Sequence, residues 1–417
     1  MQIKINAPAT LRQEIKLPAS KSISNRALLI HALSKGQNTP QNISDCDDTF
    51  VMQRALTENP EVVDIMAAGT AMRFLSAYYA VTPGTKTITG TARMKQRPIG
   101  ILVDALRTLG AQIEYTEHEG FPPLRITGGA HEGSLITLPG NVSSQYISAL
   151  LMIGPVLQKG LTIELTGDII SRPYINMTLE MMRTFGAKAT WTSERRICVE
   201  PVSYKDHSYY IESDWSAASY WYEMVALTAD EEAEIVLPGL FAVSYQGDAE
   251  VRHLFERLGV ETTFFHNEAG LECVRLRKIT GFEQPKQMTY DFINQPDLAQ
   301  TFVVTCAMAG IPFHFKGLQS LKIKETDRIA ALIRELDKLG YTIEERNGSE
   351  LLWDGKRHAP VPEAAIDTYE DHRMAMAFAP CCLCMEDIRI NNPEVVSKSY
   401  PHYWEHFKQS GFEISTL

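Results

Sequence analysis

Lysine, arginine and serine gather at the head of one apolar segment, Leu17-Pro18-Ala19-Ser20-Lys21-Ser22-Ile23-Ser24-Asn25-Arg26. Pro18 closes a strand, Ser20 or Ser22 can cap the helix that follows, and Lys21, Asn25 and Arg26 fall in its first turns. Backbone N–H groups, the positive helix end, hydroxyls and two cations then face one point, as in an anion cradle. The same residues also describe an ordinary capped helix with solvated charges. Other clusters repeat the theme: Gly69-Thr70-Ala71 with Arg73, Lys95-Gln96-Arg97-Pro98, Ser143-Ser144-Gln145, Ser171-Arg172-Pro173-Tyr174 and Ser397-Lys398-Ser399. Lys324-Glu325-Thr326-Asp327-Arg328 puts two cations on one helical face beside a carboxylate, or else forms a surface salt-bridge network. Asp297 reads as an N-cap or as a general base, and His372 beside Arg373 is equally ambiguous. Arginines suit bidentate recognition of carboxylate or phosphate, and lysines suit point-charge contact or proton transfer. The expected ligands are small polyanions.

These residues lie at the openings and loops of a repeat. Helices open at Ser20-Lys21-Ser22, Gly69-Thr70-Ala71, Ser143-Ser144-Gln145, Ser213-Asp214-Trp215-Ser216, Pro296-Asp297-Leu298 and Asp371-His372-Arg373. Helix-to-strand junctions at Gly110, Gly186, Gly259, Gly340 and Gly411 recur about every 70 to 80 residues. A sixth, degenerate junction is Leu56-Thr57-Glu58-Asn59-Pro60. The pattern predicts an α+β chain of six β-α-β-α-β-β units, the first of them short, in two domains of three units each. Equivalent helices pointing the same way would bring their positive ends together.

Composition narrows the function classes. With 417 residues, 44% of them hydrophobic, the chain can bury two cores. A net charge of -11 and a pI near 5.5 argue against nucleic-acid or membrane-surface partners. The nearly apolar run 374–385 is too short to span a bilayer, and the alternating start Met1-Gln2-Ile3-Lys4-Ile5-Asn6 lacks a signal-peptide core. A cytoplasmic protein is expected. Cys381, Cys382 and Cys384 lie in an apolar segment without zinc-ligand spacing, so buried reduced thiols and no metal are expected. No Walker A, Rossmann glycine, HExxH or Gly-x-Ser-x-Gly pattern occurs.

Six motifs in order carry a resemblance. They are 17–26, Ala68-Gly69-Thr70-Ala71-Met72-Arg73, Arg93-Met94-Lys95-Gln96-Arg97-Pro98-Ile99-Gly100, Val142-Ser143-Ser144-Gln145, Lys324-Glu325-Thr326-Asp327-Arg328 and Asp371-His372-Arg373-Met374-Ala375-Met376. Across nearly its whole length the chain resembles the EPSP synthase (3-phosphoshikimate 1-carboxyvinyltransferase) family of enolpyruvyl transferases. The resemblance implies a two-domain inside-out α/β barrel. Residues 1–20 and 213–417 would form the outer domain with both chain ends and 21–212 the second, with crossovers near 20 and 213 and an active-site cleft between them. It implies transfer of the enolpyruvyl group of phosphoenolpyruvate to the 5-hydroxyl of shikimate 3-phosphate by a monomer without metal or organic cofactor.

By position, the resemblance assigns Lys21, Ser22, Arg26, Ser143, Ser144, Gln145, Ser171, Asp297 and Lys324 to phosphoshikimate. It assigns Lys21, Gly69, Arg97, Gln145, Arg328, Arg373 and Lys398 to phosphoenolpyruvate. Asp297 would be the base for the 5-hydroxyl, with Glu325, Lys398 and Lys21 as the other catalytic groups. Three departures stand out: Ala67 in place of a usual Asn, Phe74 in place of a frequent Pro, and Ser320 in place of a frequent Asn. Phe74 could reposition Gly69 and Thr70. A UDP-N-acetylglucosamine enolpyruvyl transferase would usually carry a cysteine within 93–100, where this chain has none. A non-catalytic anion-binding protein is the alternative from another class.

Overall fold

Five turns from helix to strand set the rhythm of the chain. Gly110, Gly186, Gly259, Gly340 and Gly411 adopt φ between 83° and 105°, a region that side chains with a Cβ enter only at a cost. At the degenerate sixth junction Asn59, the next most tolerant kind of residue, caps its helix at φ 48°. The computed structural model describes residues 1–417 and divides into two units, Met1–Pro18 with Glu212–Leu417, and Ala19–Ile211.

The first unit holds three four-stranded sheets of one pattern. In one, Met288–Asp291 runs parallel to Phe313–Lys316, which pairs antiparallel with Glu350–Trp353, which pairs antiparallel with Glu344–Arg346. The chain start completes the other two. Gln2–Asn6 runs antiparallel to Ile388–Asn391 and Glu413–Thr416, and Arg12–Glu14 runs parallel to Glu234–Pro238. Alternation in Gln2–Asn6 turns Ile3 and Ile5 inward.

Three helices open the copies of this unit: Trp215–Leu227, Ala299–Met308 and His372–Phe378. Every residue of the last two is buried, as is all of the first except Ser216 and Ala226. Helices without a solvated face have to be enclosed. Phe302 meets Phe255 and Phe292 edge to face at 5.3 and 5.9 Å, which fixes one such helix against its neighbours. The second helix of each copy is one-sided instead: Arg328–Lys338 buries Ile329, Ala331, Leu332 and Leu336 and leaves its other face to solvent.

The second unit repeats the same strand order twice. One sheet is Val62–Asp64, Gly84–Thr89, Leu124–Gly128 and Gln112–Tyr115; the other is Leu135–Pro139, Leu161–Thr166, Arg196–Val199 and Ala189–Trp191. The sixth sheet, expected from six equal units, does not form. The short first copy keeps its helices, Lys21–Ser34 and Asp47–Glu58, but only an isolated Gln41 to Tyr210 bridge remains of its strands. Only residues 59–61 separate its second helix from the strand that opens the next copy, which leaves no length for a hairpin.

Cys381 and Cys382 are buried, whereas Cys384 is exposed against expectation, because the 3-10 turn Ala379–Leu383 ends just before it. No helix is long and apolar enough to cross a membrane.

Candidate active site

In the first unit, the start of the helix Arg328–Lys338 carries a buried ionic cluster. Asp327 caps it by accepting from the Ala330 N–H at 3.1 Å, which turns Arg328 inward. Arg328 is 1% exposed, and its guanidinium spans both oxygens of Asp371 at 2.6 and 3.2 Å. It also donates to Glu325 at 2.9 Å and to Asp297 at 3.2 Å. Burial alone would lower its pKa, but Asp371, Glu325 and Asp297 together hold it above its ordinary value. The motif is therefore no surface network.

Asp297 is not a helix cap. Leu298 holds that place for Ala299–Met308. The Asp297 carboxylate accepts from Lys324 at 3.3 Å and Arg328 at 3.2 Å on one oxygen, and from Arg373 at 3.0 Å on the other. Arg373 is placed by Asp371, which caps the helix His372–Phe378 through the Arg373 N–H at 2.9 Å. Glu325 bridges Arg328 and Lys398, the latter at 3.1 Å. Six expected residues, Asp297, Lys324, Glu325, Arg328, Arg373 and Lys398, thus form one connected group. Its four cations, Lys324, Arg328, Arg373 and Lys398, are donors suited to anions.

The second unit assembles its residues at four helix starts. Gly69 opens the helix Gly69–Val81 against two guanidinium groups: a Cβ there would lie 2.7 Å from Arg97 Nη1 and 3.0 Å from Arg73 Nη1. Only glycine admits both arginines this close. Thr70, next along, accepts from Gln145 Nε2 at 3.0 Å, and Ser143 caps the helix Ser144–Ile153. Ser171 heads the helix Arg172–Thr184 at φ 53°, without giving its hydroxyl to a cap bond. A left-handed serine is strained, and such strain gathers at ligand sites.

At the opening stretch Ser20 is the cap, reaching the Ile23 N–H at a long 3.4 Å. Lys21 pairs with Asp48 at 3.4 Å. Arg26 is buried, donating to Thr178 at 2.7 Å, Ser148 at 3.1 Å and the Ser22 carbonyl at 2.9 Å. It lies 5.3 Å over the Phe74 ring, and burial lowers its pKa to about 10. Three of its five N–H donors are thus used within the unit, and Phe74 serves as its platform.

The family model described as EPSP synthase (3-phosphoshikimate 1-carboxyvinyltransferase) matches residues 5–58 and 53–407. A 3-phosphoshikimate 1-carboxyvinyltransferase of Bacteroides fragilis is 59% identical over 414 residues, 99% of each chain. The chain belongs to the EPSP synthase family. One from Vibrio cholerae is 36% identical over 424 residues, covering 95% of this chain and 96% of that one. An EPSP synthase structure from Acinetobacter baumannii, 22% identical and covering 100% of both chains, shares the fold with a TM-score of 0.76. Like that structure, the present chain combines helices with open mixed sheets.

Three residues not assigned from the sequence contact the expected ones in this EPSP synthase family member: Asp48 pairs with Lys21, Thr70 accepts from Gln145 and Asp371 accepts from Arg328. Asp371 carried a usable signal, since an aspartate heading an apolar helix is a cap and caps fix whatever follows them. Asp48, one of two aspartates in the first turn of Asp47–Glu58, carries no such signal, since acidic residues are common at that end of any helix.

Proposed function

We propose that the chain transfers the enolpyruvyl group of phosphoenolpyruvate to the 5-hydroxyl of shikimate 3-phosphate, releasing phosphate. Family membership, at 59% identity over 99% of the chain, carries this reading. The Asp297 and Glu325 cluster supports the chemistry. Glu325 or Lys398 delivers a proton to the methylene carbon of phosphoenolpyruvate, which makes its C2 electrophilic. The 5-hydroxyl oxygen bonds to C2 and gives its proton to Asp297. The methyl group then returns a proton as the C2–phosphate oxygen bond breaks, forming the enol ether. Arg328, Arg373, Lys398, Arg97, Gly69 and Gln145 hold phosphoenolpyruvate and stabilise the departing phosphate, charge that fixed cations meet without reorganising.

Lys21, Ser22, Arg26, Ser143, Ser144, Gln145, Ser171 and Lys324 hold phosphoshikimate in this proposal, and Lys21 reaches both substrates. We propose the two-domain inside-out barrel as the architecture, supported by five sheets of one strand order. A cytoplasmic monomer completes the proposal, and seven free cysteines support a reducing compartment. Phosphate release on mixing both substrates tests the reading. Release with UDP-N-acetylglucosamine but not with shikimate 3-phosphate would overturn it.

Gly69→Ala probes the arginine pair. Its Cβ displaces the tip of Arg97, a flexible side chain, so the fold is expected to hold. The KM for phosphoenolpyruvate should rise about tenfold while the melting temperature stays put. Initial-rate kinetics with an unchanged KM would separate Arg97 from phosphoenolpyruvate.

A further inference from the structure

Asp297 presents a chemical problem if it is the base, a reading on which this inference rests. A carboxylate in contact with three cations is a poor proton acceptor, because each stabilises its ionised form. One more carboxylate lies at the same place. Asp248, 2% exposed, sits in the short turn Gly247–Glu250 and accepts a hydrogen bond from the Ser216 hydroxyl. Ser216 is the second residue of the helix Trp215–Leu227, which packs on both this turn and the turn Pro296–Leu298 that carries Asp297. Gln246 locks the Asp248 turn to the helix start, accepting from the Trp215 N–H at 3.1 Å and donating to the Ser213 carbonyl at 2.8 Å.

We propose that Asp248 is a positioning residue for the reaction: its negative charge opposes Lys324, Arg328 and Arg373 and keeps Asp297 basic enough to take the 5-hydroxyl proton. The groups acting on Asp248 are Asp214 and Ser216 at the helix start, Asp297, Arg373 from His372–Phe378, and Tyr290 from Met288–Asp291. Glu250 shares its turn and also acts on Tyr290. Burial, and then the Asp297 charge, push Asp248 up to about 6, while the Ser216 hydrogen bond and Arg373 pull the other way. A carboxylate raised in this way takes up its proton at a higher pH than an ordinary aspartate, so acidification removes its charge early. Asp297 then loses its opposing partner.

The test is the pH profile of kcat for phosphate release from both substrates. The parent should show an acid limb near pH 6, the point at which Asp248 takes up a proton. Asp248→Asn keeps the size of the side chain and an acceptor for Ser216 but removes the charge. It should turn over roughly tenfold more slowly at neutral pH, with the limb shifted down by about one unit or more. Asp248→Glu should retain the limb. Ser216→Ala, which keeps the carboxylate but deletes the bond that lowers its pKa, should move the limb upward. Shikimate 3-phosphate binding by each variant reports that the site is folded. A limb that stays in place in both Asp248→Asn and Ser216→Ala would overturn the inference, since a purely structural loss lowers the rate at every pH alike. A parent without turnover would overturn the proposed function itself, and this inference with it.

Discussion

Asp297→Asn is expected to lower kcat by roughly 10²- to 10⁴-fold while leaving the KM for phosphoenolpyruvate unchanged or lower. The direction of the KM effect follows from the contacts. Lys324, Arg328 and Arg373 all spend a hydrogen bond on this carboxylate. A neutral amide releases part of that attraction to incoming phosphate and carboxylate groups, so anion binding holds or tightens. The chemical step loses its proton acceptor. A tether of three cations would behave otherwise: removing it would scatter them, raising KM and lowering the melting temperature while kcat changed little. Initial rates with both substrates, together with a thermal melt of each protein, separate the two. A kcat within a few-fold of the parent would remove Asp297 from the chemistry.

The openings of the copies were legible in the sequence because their signals are local. Serine, aspartate and proline at helix starts and glycine at helix ends act within four residues of themselves. The meaning of Asp297 was not, since its partners lie 27, 31 and 76 residues away. Asp371 could be read as a cap, but its grip on Arg328 spans 43 residues. Arg26 shows the limit from the other side. Its place in a first turn gave no sign of the hydroxyls of Ser148 and Thr178 that engage it, which come from other helices of the unit. Phe74, one of the departures, packs beneath that guanidinium. The missing sheet is a matter of length: a short first copy was visible, but the tolerance of its helices for losing every partner strand is a property of packing.

Arg328→Ala should both silence the protein and destabilise it by about 3 to 5 kcal/mol, the range found when one member of a buried ion group is removed. Solvent screening gives little relief, because the Arg328 side chain is 2% exposed and that of Asp371 is 0% exposed. Losing the guanidinium leaves Asp371 and Glu325 without their shared cation in a low-dielectric setting, and Asp371 must still cap the helix that presents Arg373. Arg328→Lys would restore the charge but not the fork: one ammonium cannot span both Asp371 oxygens and still reach Glu325 and Asp297. The lysine variant should therefore recover part of the stability and little of the turnover. Pairing Arg328→Met with Asp371→Leu should recover more stability than either single change, since it removes the desolvated charges of that pair together. Urea denaturation of the five variants checks this ordering. A parent-like midpoint for Arg328→Ala would mean that water reaches the cluster and screens it, and the buried ion group would then have to give up its structural role.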